Sequence, residues 1–180
     1  MKRAVFLDRD GVLNEAIVRN GTPHPPPSLD ELRMIPGAER AIAALHDAGF
    51  LAIGITNQPD VARGTTALAA VQAMNAAVQD ALGLDALYAC FHDDADGCDC
   101  RKPKPGLVHR AAAEHDVNVG ASYLIGDRFK DIACGRAAGC TTIFIDRGYA
   151  ETVATTGADS TVHSLDEGMH VIFEREAALR

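Results

Sequence analysis

Asp8 and Asp10 follow the apolar run Ala4-Val5-Phe6-Leu7 directly and precede Gly11. A hydrophobic run that ends in two acids reads as a buried strand delivering carboxylates to its carboxyl end, where open α/β sheets bind ligands. Two residues apart on an extended backbone, the acids project to a similar side. An ionised carboxylate can act as a nucleophile without an adjacent base, and a second one can pass a proton. Gly11 lets the chain turn sharply at this point.

A second group of chemically capable residues is Cys90-x-His92-x5-Cys98-x-Cys100. Three thiols and one imidazole match a closed tetrahedral zinc site, and sulfur suits zinc better than the nearby carboxylates do. The loop itself carries Asp93, Asp94, Asp96, Gly97 and Asp99. It cannot bury an apolar core, so a metal would order it. Four protein ligands leave no open position, so zinc is expected to be structural. Arg101-Lys102 comes straight after the last ligand, so folding this loop would also fix those cations. Cys134 and Cys140 sit among small residues and read as buried apolar filler.

The elements that must position these groups alternate short β-rich runs with longer Ala-rich ones, the pattern of a parallel sheet covered by helices. Strands are expected at 3–7, 51–56, 87–91, 123–125 and 142–145, with a weak sixth at 160–162. Helices are expected at 38–48, 67–82, 106–115, 129–138 and 165–173, with Gly49 and Gly83 at helix C-termini. Residues 14–32 break the alternation. They hold Pro23 and Pro25-Pro26-Pro27, so an extended flap is expected, spanning 14–36 with the turn that follows and too short for a cap domain. The acid pair, Thr56-Asn57-Gln58, the Cys/His cluster and Gly126-Asp127 then fall at the ends of successive strands, on one rim of the sheet.

A chain of 180 residues fits one domain, 1–180, with the zinc loop at 90–100. Hydrophobic residues make up 47% of it, yet no apolar run approaches the roughly 20 residues of a membrane helix. The chain enters a strand almost at once, so no signal peptide and a cytoplasmic location are expected. Five cysteines in such a chain are not a disulfide framework. The net charge of −8 argues against nucleic-acid or membrane-surface partners, which need a basic face. A small soluble ligand and a monomer are expected.

From Val5 to about Asp146 the chain resembles the haloacid dehalogenase (HAD) superfamily of phosphohydrolases. The resemblance rests on four motifs: Asp8-x-Asp10-Gly11, Thr56 after Ile53-Gly54-Ile55, Lys102 in Arg101-Lys102-Pro103, and Gly126-Asp127-Arg128-Phe129-Lys130-Asp131. It implies a three-layer, doubly wound, Rossmann-like HAD fold with a mostly parallel sheet and no large cap domain. It also implies hydrolysis of a phosphate monoester through an aspartyl-phosphate. Asp8 would be the nucleophile and Asp10 the acid and base. Thr56 and Lys102 would bind the phosphoryl oxygens. Repulsion between Asp8 and a phosphate, about 4 kcal/mol per charge pair at 4 Å and an effective dielectric near 20, calls for a divalent ion. The resemblance puts Mg²⁺ on Asp8, Asp127 and the Asp10 main-chain carbonyl, with Asp131 orienting them.

The zinc cluster narrows the resemblance to the histidinol-phosphatase and heptose-bisphosphatase branch. Ala62-Arg63-Gly64 and Lys104-Pro105-Gly106 are more similar to the heptose 1,7-bisphosphate enzymes, and the short His92–Cys98 spacer to the histidinol enzymes. Val12, the Pro-rich flap and Pro59-Asp60 depart from the heptose pattern. Charge favours a sugar bisphosphate, because Arg63, Arg101, Lys104 and Arg128 lie beside the site segments. Asn57, Gln58, Arg63, Arg101 and Arg128 are the expected substrate contacts. Asp60 could meet an ammonium instead, though a helix N-terminal acid is its expected role. Two other classes stay open: a phosphotransferase or phosphomutase sharing the aspartyl intermediate, and a non-catalytic zinc-stabilised binding protein.

Overall fold

The computed structural model describes residues 1–150 and 157–179. Six parallel strands form its main sheet in the order β5-β4-β1-β6-β7-β8: β1 (Arg3–Leu7), β4 (Phe50–Asn57), β5 (Ala86–Cys90), β6 (Tyr123–Gly126), β7 (Thr141–Ile145) and β8 (Ser160–Val162). The chain winds outward from β1 in both directions, to β4 on one side and β6 on the other. The switch in winding therefore falls at β1, and the crevice above such a point is where α/β sheets hold ligands. Leu7 stands opposite Gly54 and Ile125 in the ladders, so Asp8, Thr56 and Asp127 reach the same rim.

Strand periodicity of two sorts the core into two layers. Val5, Leu7, Ala52, Ile125 and Ile143 face α1 (Ala38–Asp47), α2 (Leu68–Leu82) and α5 (Leu165–Ala178). Ala4, Phe6, Ile53, Ile55 and Leu124 face α3 (Gly106–His115) and α4 (Phe129–Ala138). Helix–sheet–helix layering follows from these two apolar faces. Cys134 and Cys140 lie buried in the second layer. Among the described residues no helix is long and apolar enough to cross a membrane.

Most expected elements lie within one or two residues of the observed ones. The last helix does not: it runs past the expected end at 173 to Ala178. Glu174-Arg175-Glu176 breaks the apolar rhythm, but Glu176 accepts hydrogen bonds from Arg3 and the Tyr123 hydroxyl, and these anchor the polar turns. Within residues 14–36 the chain makes a small antiparallel hairpin, β2 (Ile17–Arg19) and β3 (Thr22–His24). Asn14 pairs with both Asp10 and Met34, so the segment folds back over the rim.

Candidate active site

The first two acids part company in their contacts. Asp8 is buried and accepts a hydrogen bond from Lys102 Nζ at 2.7 Å. Lys102 Nζ also lies 2.6 Å from Asp131 Oδ1 and 3.1 Å from the Ile55 carbonyl oxygen, which it donates to. Burial works against the Lys102 ammonium, but the charges of Asp131 and Asp8 outweigh it and raise its pKa. Burial, followed by the charge of Asp131, pushes Asp8 up from its ordinary range to about 7. Without a cation, the site disfavours the ionised form of Asp8. Asp127 is likewise raised, first by burial and then by the charge of Asp8.

Asp10 faces other donors. Arg9, with no exposed surface at all, sends Nε and Nη2 to its carboxylate at 2.9–3.1 Å. Asn14 Nδ2 donates at 3.0 Å and Gln58 Nε2 at 2.7 Å. Gln58 Nε2 also reaches Thr56 Oγ1 at 2.9 Å. Gln58 was expected to meet substrate; instead it is buried and binds Asp10 and Thr56. Asn57 lines the cleft, yet its amide is committed to the Lys102 main chain, accepting from N and donating to O at 3.0 Å each.

Asp8, Asp127 and Asp131 can each offer an oxygen within 4.8 Å of the others, all buried. Asp127 Oδ2 accepts from the Tyr149 hydroxyl at 2.8 Å. Its other oxygen, Oδ1, is buried without a hydrogen-bond partner among the described residues. Such an orphan costs free energy unless something binds it. Hard anionic oxygens around an orphaned acceptor fit Mg²⁺. Gly11 makes the crowding possible: its φ is +91°, and a Cβ there would fall 1.8 Å from Asp127 Oδ2.

Cys90, His92, Cys98 and Cys100 also converge. Their sulfur and Nδ1 atoms are separated by 3.3–3.7 Å. A tetrahedron with Zn–S bonds of about 2.3 Å has edges near 3.8 Å, so the four fit zinc. Burial pushes the Cys90 thiol up to about 12, and binding a metal there must displace its proton. The loop is fastened to the cleft by charge. Arg63 grips Asp93 with two bonds of 2.7 Å, Arg101 Nε donates to Asp94 at 2.7 Å, and Lys130 approaches Asp94 at 4.0 Å. The Arg63 hydrogen bond is the main reason Asp93 falls to about 2.

Asp8, Asp10, Thr56, Lys102, Asp131, Arg63, Arg101 and Lys130 line a cleft of about 310 Å³ together with Arg128 and with Thr22 and His24 of the hairpin. Asp60 is not at a helix start, as was expected, because α2 begins at Leu68. It sits in the preceding turn, where Arg63 approaches its carboxylate at 3.4 Å. The sequence reading did not single out Arg9, Asn14, Lys130 or Tyr149. Arg9 had a signal: between two outward acids, it must point to the buried side.

A HAD-hydrolase-like family model matches residues 99–167. A D-glycero-D-manno-heptose-1,7-bisphosphate 7-phosphatase of Thermosynechococcus vestitus is 35% identical over 83% of this chain and 82% of its own length. The D-glycero-beta-D-manno-heptose-1,7-bisphosphate 7-phosphatase of Haemophilus ducreyi is 34% identical over 91% of this chain and 94% of its own. In three dimensions the chain is similar to the heptose 1,7-bisphosphate phosphatase of B. bronchiseptica complexed with magnesium and phosphate. The TM-score is 0.82 at 28% identity, covering 96% of this chain and 99% of that one.

Proposed function

Because the chain belongs to the HAD family of phosphoric monoester hydrolases, we propose that it removes one phosphate from a sugar bisphosphate, D-glycero-D-manno-heptose 1,7-bisphosphate, at the 7-position. The observation that carries this reading is the lining of the cleft: Arg63, Arg101, Arg128 and Lys130 border it together with Asp8, Asp10 and Asp131. An anionic group beyond the one being transferred suits those cations. An ammonium does not, and Asp60, the acid that could have met one, faces Arg63.

Asp8 attacks phosphorus in line, forming an aspartyl-phosphate as the bond to the sugar oxygen breaks. Asp10 gives a proton to that oxygen, then takes one from the water that attacks the aspartyl-phosphate, releasing phosphate and restoring Asp8. Thr56 and Lys102 hold the phosphoryl oxygens. Lys102 can do so without leaving Asp131. Asp8, Asp127 and the Asp10 main-chain carbonyl would hold Mg²⁺, which would supply charge neutralisation to the phosphoryl group. Zn²⁺ on Cys90, His92, Cys98 and Cys100 would supply none of the chemistry; it would fix the loop that leads into Lys102.

Phosphate release with Mg²⁺ should be measured on heptose 1,7-bisphosphate, histidinol phosphate and fructose 1,6-bisphosphate. The highest kcat/KM is expected for the heptose, and Asp8→Asn should abolish turnover while preserving fold and zinc content. Preference for histidinol phosphate would overturn the substrate. Near-normal turnover in Asp8→Asn would overturn the nucleophile. Phosphate passed to an added sugar faster than it is released would make the protein a transferase.

A further inference from the structure

β7 ends at Ile145, and residues 147–150 cross from the sheet rim to the hairpin, touching three parts of the site. Arg147 Nε donates to the Gly11 carbonyl oxygen at 3.0 Å. The Tyr149 hydroxyl donates to Asp127 Oδ2 at 2.8 Å. Ala150 N donates to the Gly21 carbonyl oxygen at 2.9 Å, at the tip of the hairpin whose Thr22 and His24 line the cleft. One short segment thus ties the turn after Asp8, the carboxylate of Asp127 and the hairpin together.

We infer that residues 147–150 are a strap through which the hairpin sets the cation affinity of the catalytic centre, with Tyr149 as the positioning residue. The inference rests on the reading of Asp8 and Asp127 as cation ligands. Tyr149 occupies one Asp127 oxygen, and the other is the orphaned Oδ1. A carboxylate pinned at one oxygen presents the second in a fixed direction. Groups that hold a ligand in this way are worth about 10- to 100-fold in metal affinity. The space for the contact exists because Gly11 has no side chain: a Cβ there would lie 2.9 Å from the Tyr149 hydroxyl oxygen.

The hairpin end of the strap is equally tight. Gly21 has φ +75°, and a Cβ on it would meet the Ala150 Cβ at 2.6 Å. A side chain at Gly21 must therefore push the strap away, although Gly21 itself touches no acid of the centre. By linkage, a substrate that draws the hairpin toward the strap strengthens cation binding, and the cation favours the same hairpin position.

Mn²⁺ is the probe, its free concentration read by electron paramagnetic resonance in the purified protein with zinc content measured. Tyr149→Phe should weaken Mn²⁺ binding by about 10- to 100-fold, leaving zinc content unchanged. Gly21→Ala should weaken it in the same direction. Tyr149→Phe binding Mn²⁺ within about twofold of wild type, while Asp127→Asn loses it, would overturn the strap alone. Weakened binding in Tyr149→Phe with unchanged binding in Gly21→Ala would overturn the hairpin's part. Wild-type protein with no saturable Mn²⁺ site, or a site indifferent to Asp127→Asn, would overturn the cation reading beneath both.

Discussion

Asp8 shows how burial changes what an ordinary residue can do. Its carboxyl is raised to about 7, first by burial and then by Asp131. In the cation-free protein a proton is therefore retained as pH falls through 7, and Mg²⁺ must compete with it. Cation affinity should rise with pH between about 6 and 8 and each binding event should release protons, as linkage requires. Calorimetric titration in two buffers of different ionisation heat checks this; equal heats at pH 7 would contradict it. Asp10 lives differently two residues away, since Arg9, Asn14 and Gln58 all donate to it.

The zinc loop makes the same point for an element. Chelating zinc selectively, with Mg²⁺ in excess, should expose Cys98 and Cys100 to alkylation and lower activity about tenfold or more. Cys134 and Cys140 should stay unmodified, because both are buried and burial pushes their thiols up to about 12. Mass spectrometry and phosphate release on one sample settle it; full activity after verified zinc loss would separate the loop from Lys102. Ligand spacing made this loop legible in the sequence, and alternation with strand-end acids did so for the sheet. The partners of the cations were not legible, because Arg63–Asp93 and Arg101–Asp94 are tertiary contacts with no fixed spacing. Asn20-Gly21, both at positive φ, was a readable hairpin signal that the proline run obscured.

At the scale of the molecule, stability and chemistry occupy different places. The rim holds the buried charges, and the layers beneath hold the apolar mass. Ile172 of α5 is fully buried in the layer with α1 and α2. Ile172→Ala should cost about 2–5 kcal/mol of stability and leave kcat at 25 °C unchanged, checked by denaturant unfolding beside a rate assay. A fall in kcat with no loss of stability would deny the separation. The two strands of the hairpin, three residues each, carry a last consequence. So small an awning brings few groups of its own to a guest molecule, chiefly Thr22, Pro23 and His24. Discrimination then depends on where a few guanidinium and ammonium groups stand, and chains of this build can change diet by exchanging them while the acids stay put.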